Sequence, residues 1–187
     1  MSQPSLQEKN SIFAGLAPSA WRRFDADCSY RWQRGEKQGY QAAYLWQEVG
    51  YFVPYRLGYE AGEGCAVRDE LEQVMAWCLA SRHHDGFMRE QALRHLLGCS
   101  QYPFVVPYLL RPLSEYVFPI YELLYAHRQS LLRANLCTFV GQNPAFVSLT
   151  WQRMRSYWDA YHRERVPNFF EMPNVQFMRW LERLPVL

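Results

Sequence analysis

Apolar side chains recur along most of this chain at intervals of three and four, the spacing that places them on one side of an α-helix. The clearest run is Val67, Leu71, Val74, Met75, Cys78 and Leu79. Asp69, Glu70 and Glu72 stand near its amino end, where the helix dipole favours negative charge, and Arg82, His83 and His84 follow its carboxyl end, where positive charge is favoured. Upstream, Pro18-Ser19 offers a helix start, and Trp21, Phe24, Cys28 and Trp32 fall at helical steps before Gly35. A second helix is expected over about 37–51, with Tyr40, Ala43, Tyr44, Gln47 and Tyr51 on one side and Leu45, Trp46 and Val49 on the next. Pro54, Gly58, Gly62 and Gly64 punctuate the connection that follows.

The stripes resume after His84. Met88, Ala92, Leu93, Leu96 and Leu97 form one, closed by Gly98, and Val106, Leu109, Leu110 and Leu113 form another. Ile120, Leu123, Leu124, His127 and Leu131 make a third that extends toward Phe139. Asn143-Pro144 has the form of a cap followed by a first-turn proline, because an Asn side chain accepts from open backbone N–H groups and proline lacks only a donor that would be idle there. Val147, Trp151, Met154, Trp158 and Tyr161 continue that helix until Pro167, and Pro173-Asn174 seeds a last one through Phe177, Met178, Leu181 and Leu184. Useful apolar–polar alternation and Asn-Gly or Asp-Gly turns are both absent, so strands are not expected.

The segment Asp85-Gly86-Phe87-Met88-Arg89-Glu90-Gln91-Ala92-Leu93-Arg94-His95-Leu96 resembles the first helix of bacterial HEAT-type repeats, in which D-G-[FY]-V-R-E-x-A-L-x-x-L recurs. Val105 to Val117 is similar to the second helix of such a repeat and its exit turn, and Ile120 falls 32 residues after Met88, a period that suits paired helices. Glu115 stands where the repeat pattern has Asp, and Tyr121 where it has Arg. The resemblance covers about 85–122. It implies an all-α fold: a short stack of antiparallel helix pairs with elaborated helical caps, since a stack needs its ends covered. The expected organisation is a single helical domain over 1–187, with a HEAT-like centre at about 66–140, an N-terminal helical cap at about 18–57 and C-terminal helices at about 143–184.

Composition adds one unusual feature. Aromatic residues make up 17% of the chain, and Trp and Tyr serve cores and protein interfaces alike. A net charge of +2 gives no general attraction to phosphate backbones, but its distribution is uneven. Glu60, Glu63, Asp69, Glu70 and Glu72 cluster in one stretch, whereas Arg153, Arg155, Arg163, Arg165, Arg179 and Arg183 crowd another. The five cysteines are odd in number and never form C-x-x-C, which suits thiols in a reducing cytoplasm. No basic-then-apolar leader pattern follows Met1, and no apolar stretch is long enough to span a bilayer, so a cytoplasmic protein without a membrane partner is expected.

Helical-pair stacks hold macromolecules more often than they build reactive pockets. Hydrolase, zincin and nucleotide-binding signatures are missing, so no enzyme and no cofactor is expected. The expected role is a non-catalytic protein-binding module, an immunity protein or antitoxin that occludes a toxin. Glu60, Glu63, Asp69, Glu70 and Glu72 would meet a basic toxin surface, and Trp151, Arg155 and Trp158 supply interface-type side chains. Nucleic-acid binding through the basic aromatic C-terminal region is the alternative, because bases stack on rings while guanidinium groups hold phosphates. A third possibility is a metal-dependent enzyme at His83, His84 and Asp85, although neighbouring residues on a helix end point in different directions.

Overall fold

The computed structural model describes residues 42–46, 49–53, 56 and 69–184. Helix dominates these residues, as the periodicity predicts. The N-terminal cap helix expected over about 18–34 lies outside them, as do Glu60 and Glu63. The described chain falls into two compact units, one ending at Leu96 and one beginning at Leu97.

In the N-terminal unit, strands β1 (Ala42–Trp46) and β2 (Val49–Val53) pair antiparallel, with Tyr44 opposite Tyr51 and Trp46 opposite Val49. This corrects two expectations at once, the helix over about 37–51 and the absence of strands. The segment is rich in aromatic and β-branched residues, which lose side-chain freedom in a helix and suit an extended backbone. Its apolar residues also lie on more than one side of the helix drawn through them, so a period of 3.6 never described the segment alone.

Helix α1 (Glu70–Ala80) starts where an acid can close it: the Asp69 carboxylate accepts from the Glu72 backbone N–H at 2.8 Å. Substituting Asp69 by alanine is expected to destabilise the unit by about 1 kcal/mol, read from urea unfolding. Val74, Met75, Cys78 and Leu79 are buried and Leu71 is half-buried, so this part of the stripe read from the sequence is the inward face, while Val67 lies outside the described residues. Helix α2 (Gly86–Leu96) packs against α1 and buries Ala92, Leu93 and Leu96. The Trp77 and His95 rings stack at 4.1 Å. Arg89 in α2 is fully buried, and its Nη1 donates to the carbonyls of His83 and His84 at 2.9 and 2.8 Å, fastening the turn between the helices.

The C-terminal unit begins with short 3₁₀ turns around helix α3 (Val106–Leu110), because Pro103, Pro107 and Pro112 interrupt any longer α-helical ladder. Helix α4 (Phe118–His127) carries Pro119 in its first turn, where a missing N–H costs nothing. The stripe expected to run from Ile120 toward Phe139 is divided by a turn at Arg128–Ser130 before helix α5 (Arg133–Gln142). Asn135 of α5 donates to the carbonyls of Ser100 and Gln101, tying that helix to an earlier turn.

Helix α6 (Pro144–Tyr157) starts after Asn143, but the Asn143 side chain does not cap it. Its amide donates backward to Phe139 O at 2.7 Å and closes α5 instead. Beyond Tyr157 the backbone widens into a π-helical turn, Trp158–His162. Helix α7 (Pro173–Glu182) packs on α4, with Val175, Phe177, Met178 and Leu181 buried. Asn174 is buried with them and donates to Leu113 O at 3.0 Å, across 61 residues of chain. No helix among the described residues is long and apolar enough to cross a membrane.

Candidate protein-binding surface

The acidic residues expected to face a partner do not form a continuous patch among the described residues. Asp69 and Glu70 are exposed, but Asp69 is occupied in capping α1. Glu72, at 2% exposure, is turned inward. Its position two turns before Leu79 on the buried side explains this, since residues seven apart share a helix face.

His83, His84 and Asp85 are also committed locally. His83 is buried and its Nδ1 accepts from the Asp85 backbone N–H at 3.1 Å, its ring tilted against His84 at 4.2 Å. The Asp85 carboxylate accepts from the Phe87 N–H at 2.8 Å and opens α2. No group of three or more His, Cys, Asp or Glu that could hold a metal ion occurs among the described residues.

Trp151, Arg155 and Trp158 are brought together, and Phe169 is the reason. The two indole rings meet the Phe169 ring edge-on at 6.4 and 5.5 Å, and the Arg155 guanidinium lies 5.5 Å from its centroid. Both tryptophans are half-buried and spend their N–H groups inside the unit: Trp151 donates to Glu182 Oε1 at 2.7 Å and Trp158 to Val166 O at 2.8 Å. Trp151 braces the middle of α6 against the end of α7, and Trp158 braces the π-turn against the segment that precedes α7. The neighbouring ring open to solvent is Phe170, 55% exposed, with Arg179 over it at 5.6 Å.

A second ring cluster forms where the π-turn meets the start of α4. Tyr116, Tyr157 and Tyr161 lie 5.9–6.1 Å apart, centroid to centroid, and Tyr116 and Tyr161 are 49% and 65% exposed. Phe118, Tyr121 and His162 pack as a second group of rings at 5.4–6.0 Å, edge to face, and Tyr161 approaches His162 at 6.4 Å. Arg165 covers the Phe118 ring at 3.7 Å and reaches Glu122 at 3.7 Å, while Arg163 pairs with Asp159 at 3.0 Å.

Two polar atoms inside this cluster, Tyr121 Oη and His162 Nε2, are buried without a hydrogen-bond partner among the described residues. Burial, followed by the charges of Glu115 and Tyr157, pushes the Tyr121 phenol far above its ordinary range. Burial and then Arg165 hold the His162 imidazole below its usual value, opposed by a hydrogen bond from the ring to the Tyr116 main chain.

Tyr157 and Tyr161 share a helical step, so their pairing is legible in the sequence. Tyr116 lies 41 residues before Tyr157, and nothing in its local pattern sets it apart from a core aromatic. The chain matches no protein-family model, no curated protein and no solved structure.

Proposed function

We propose that this chain is a non-catalytic protein-binding module, and that its partner docks on the tyrosine cluster of the C-terminal unit. The observation that carries this reading is the exposed contact among Tyr116, Tyr157 and Tyr161. Tyrosine presents a large, stiff surface with a polar tip, and rings already packed against one another lose little freedom when a partner covers them. A role as an immunity protein or antitoxin that occludes a toxin remains the proposed one for a small helical chain of this kind, and a HEAT-type repeat the proposed origin of its centre.

A protein partner is favoured over nucleic acid by the charges around the rings. Arg163 and Arg165 are each paired with a carboxylate, Asp159 and Glu122. Guanidinium groups so neutralised are poor phosphate ligands, and the carboxylates beside them repel a polyanion. A surface of alternating sign suits the mixed rim of a protein interface instead.

The test is whether the purified chain forms a tight one-to-one complex with a toxic enzyme from its own host, and whether its expression protects cells from that enzyme. Substituting both Tyr116 and Tyr161 by alanine is expected to weaken the complex by about 100-fold, as for two interface hot spots, with the far-ultraviolet dichroism unchanged. Unchanged affinity, or binding to DNA or RNA that falls steeply with salt, overturns the proposal.

A further inference from the structure

We infer that Arg155, Phe169, Phe170 and Arg179 form a second docking surface in the C-terminal unit, and that it takes a short acidic segment of a partner protein that also carries an aromatic side chain. Its residues are not those of the tyrosine cluster, and it stands independently of the function proposed above.

Three elements build the surface. Arg155 lies on α6, Arg179 lies on α7, and the 3₁₀ turn Phe169–Glu171 carries the two phenylalanines. Their rings meet edge to face at 5.6 Å. The Arg155 guanidinium lies 5.5 Å from the Phe169 centroid and the Arg179 guanidinium 5.6 Å from that of Phe170, so an unbroken line of contacts joins the two cations. The line is anchored from within: Phe169 is buried against Trp151 and Trp158, and the Asn168 side chain accepts from the Phe170 N–H at 3.1 Å. Phe170 and both arginines are exposed.

Among the described residues Arg155 and Arg179 meet rings alone, with no hydrogen bond or carboxylate partner. Arg94, Arg163 and Arg165 by contrast each reach an acid. Acceptors stand on the same elements, but Glu182 takes its hydrogen bond from Trp151 and Glu171 takes one from Asn168. The two guanidinium forks are therefore left for a group from outside. A guanidinium matches a carboxylate with two parallel N–H···O bonds and, being weakly hydrated, gives up its water readily. A ring against it adds an attraction that grows when a partner excludes water. The open Phe170 ring offers an aromatic side chain of the partner an edge or a face.

Charge selects the occupant. Between 144 and 184 six arginines stand against four carboxylates, an excess equal to the net charge of +2 of the whole chain, and Arg183 continues the Arg179 face one turn on. An acidic segment is steered toward such a surface. A polynucleotide is disfavoured, because Glu171 and Glu182 stand among the arginines and repel a strand with a phosphate at every step. A peptide can set its acids opposite the arginines and neutral residues opposite the glutamates.

The test is fluorescence anisotropy of the full chain at near-physiological salt with a short labelled peptide of aspartate, glutamate and phenylalanine. The comparison probes are the same peptide with lysine for its acids, the same peptide with alanine for its phenylalanines, and single-stranded oligothymidylate. The acidic aromatic peptide is expected to bind in preference to all three. Arg155→Gln and Arg179→Gln are each expected to weaken it about tenfold, as for single interface hot spots, with the far-ultraviolet dichroism unchanged because both side chains are exposed. Phe170→Ala is expected to erase the preference for phenylalanine over alanine in the peptide. Alanine at Tyr116 and Tyr161 is expected to leave peptide affinity unchanged, which separates this surface from the tyrosine cluster. The proposal is overturned if the acidic peptide does not bind, if the lysine peptide or oligothymidylate binds as tightly, or if affinity ignores both arginines. Should a variant fail to fold, the side-chain N–H resonances of Arg155 and Arg179 in the wild-type chain decide: both shifting as the acidic peptide is added supports the surface, and both staying still overturns it.

Discussion

Arg89→Met is expected to destabilise the N-terminal unit by about 3 kcal/mol, far more than an arginine on a helix surface would. The side chain is completely buried, and its Nη1 serves the His83 and His84 carbonyls at the turn from α1 to α2. Methionine approximates its length and apolar stem but supplies no donor. The deserted His83 carbonyl, which is buried, then keeps the cost of desolvation without the bond that offset it, about 1–3 kcal/mol, and the part-buried His84 carbonyl adds a smaller loss. Arg94→Met is the matched control, because Arg94 lies outside on the same helix, 57% exposed, and bonds Glu90 one turn away. That pair is worth only a few tenths of a kcal/mol. Urea unfolding should separate the two by roughly 1–3 M in midpoint, given the usual dependence on denaturant. Equal midpoints would mean that the buried guanidinium is not what fastens the turn.

Phe177→Ala is expected to cost the C-terminal unit about 3–5 kcal/mol, the usual penalty for emptying a ring-sized space in a packed interior. Phe177 is fully buried in α7, which packs on α4, and its ring meets Trp180 edge to face at 5.3 Å. The loss has two parts, the transfer of the ring back to water and the contacts that its neighbours can no longer make. Phe170→Ala removes the same atoms from a position 55% exposed, so its effect on stability should stay within about 0.5 kcal/mol. Calorimetric or urea unfolding of the two variants gives the comparison directly. A similar cost at both positions would contradict the placement of α7.

How much of this was readable beforehand depended on whether a residue's role lay in its own segment. Val74, Met75, Cys78 and Leu79 announce the inward face of α1 because their neighbours in sequence are their neighbours on the helix. Asp69 does so for the start of α1, since a cap acts within three residues. Asn143 has the same chemistry and the opposite outcome: its amide finds Phe139 O behind it, and no local rule distinguishes the two directions. The paired strands Ala42–Trp46 and Val49–Val53 are not legible as strands, because aromatic residues every few positions fit a helix by period and a strand by propensity.

The candidate surface was legible only in part. Trp151, Arg155 and Trp158 do gather, yet around Phe169, as a brace, and Glu72 among the acids faces inward. The rings left open, Tyr116 and Tyr161, come from segments 45 residues apart.

By itself the sequence determined the helical class and the inward faces of most helices, because backbone hydrogen bonding and side-chain direction repeat every few residues. Tertiary structure decided which aromatic rings are covered, where Arg89 and Asn174 spend their donors, and that His162 packs against Phe118 and Tyr121. Those outcomes depend on which distant segment fills the space beside a side chain, and the burial of one ring by another is a property of the pair that neither carries alone.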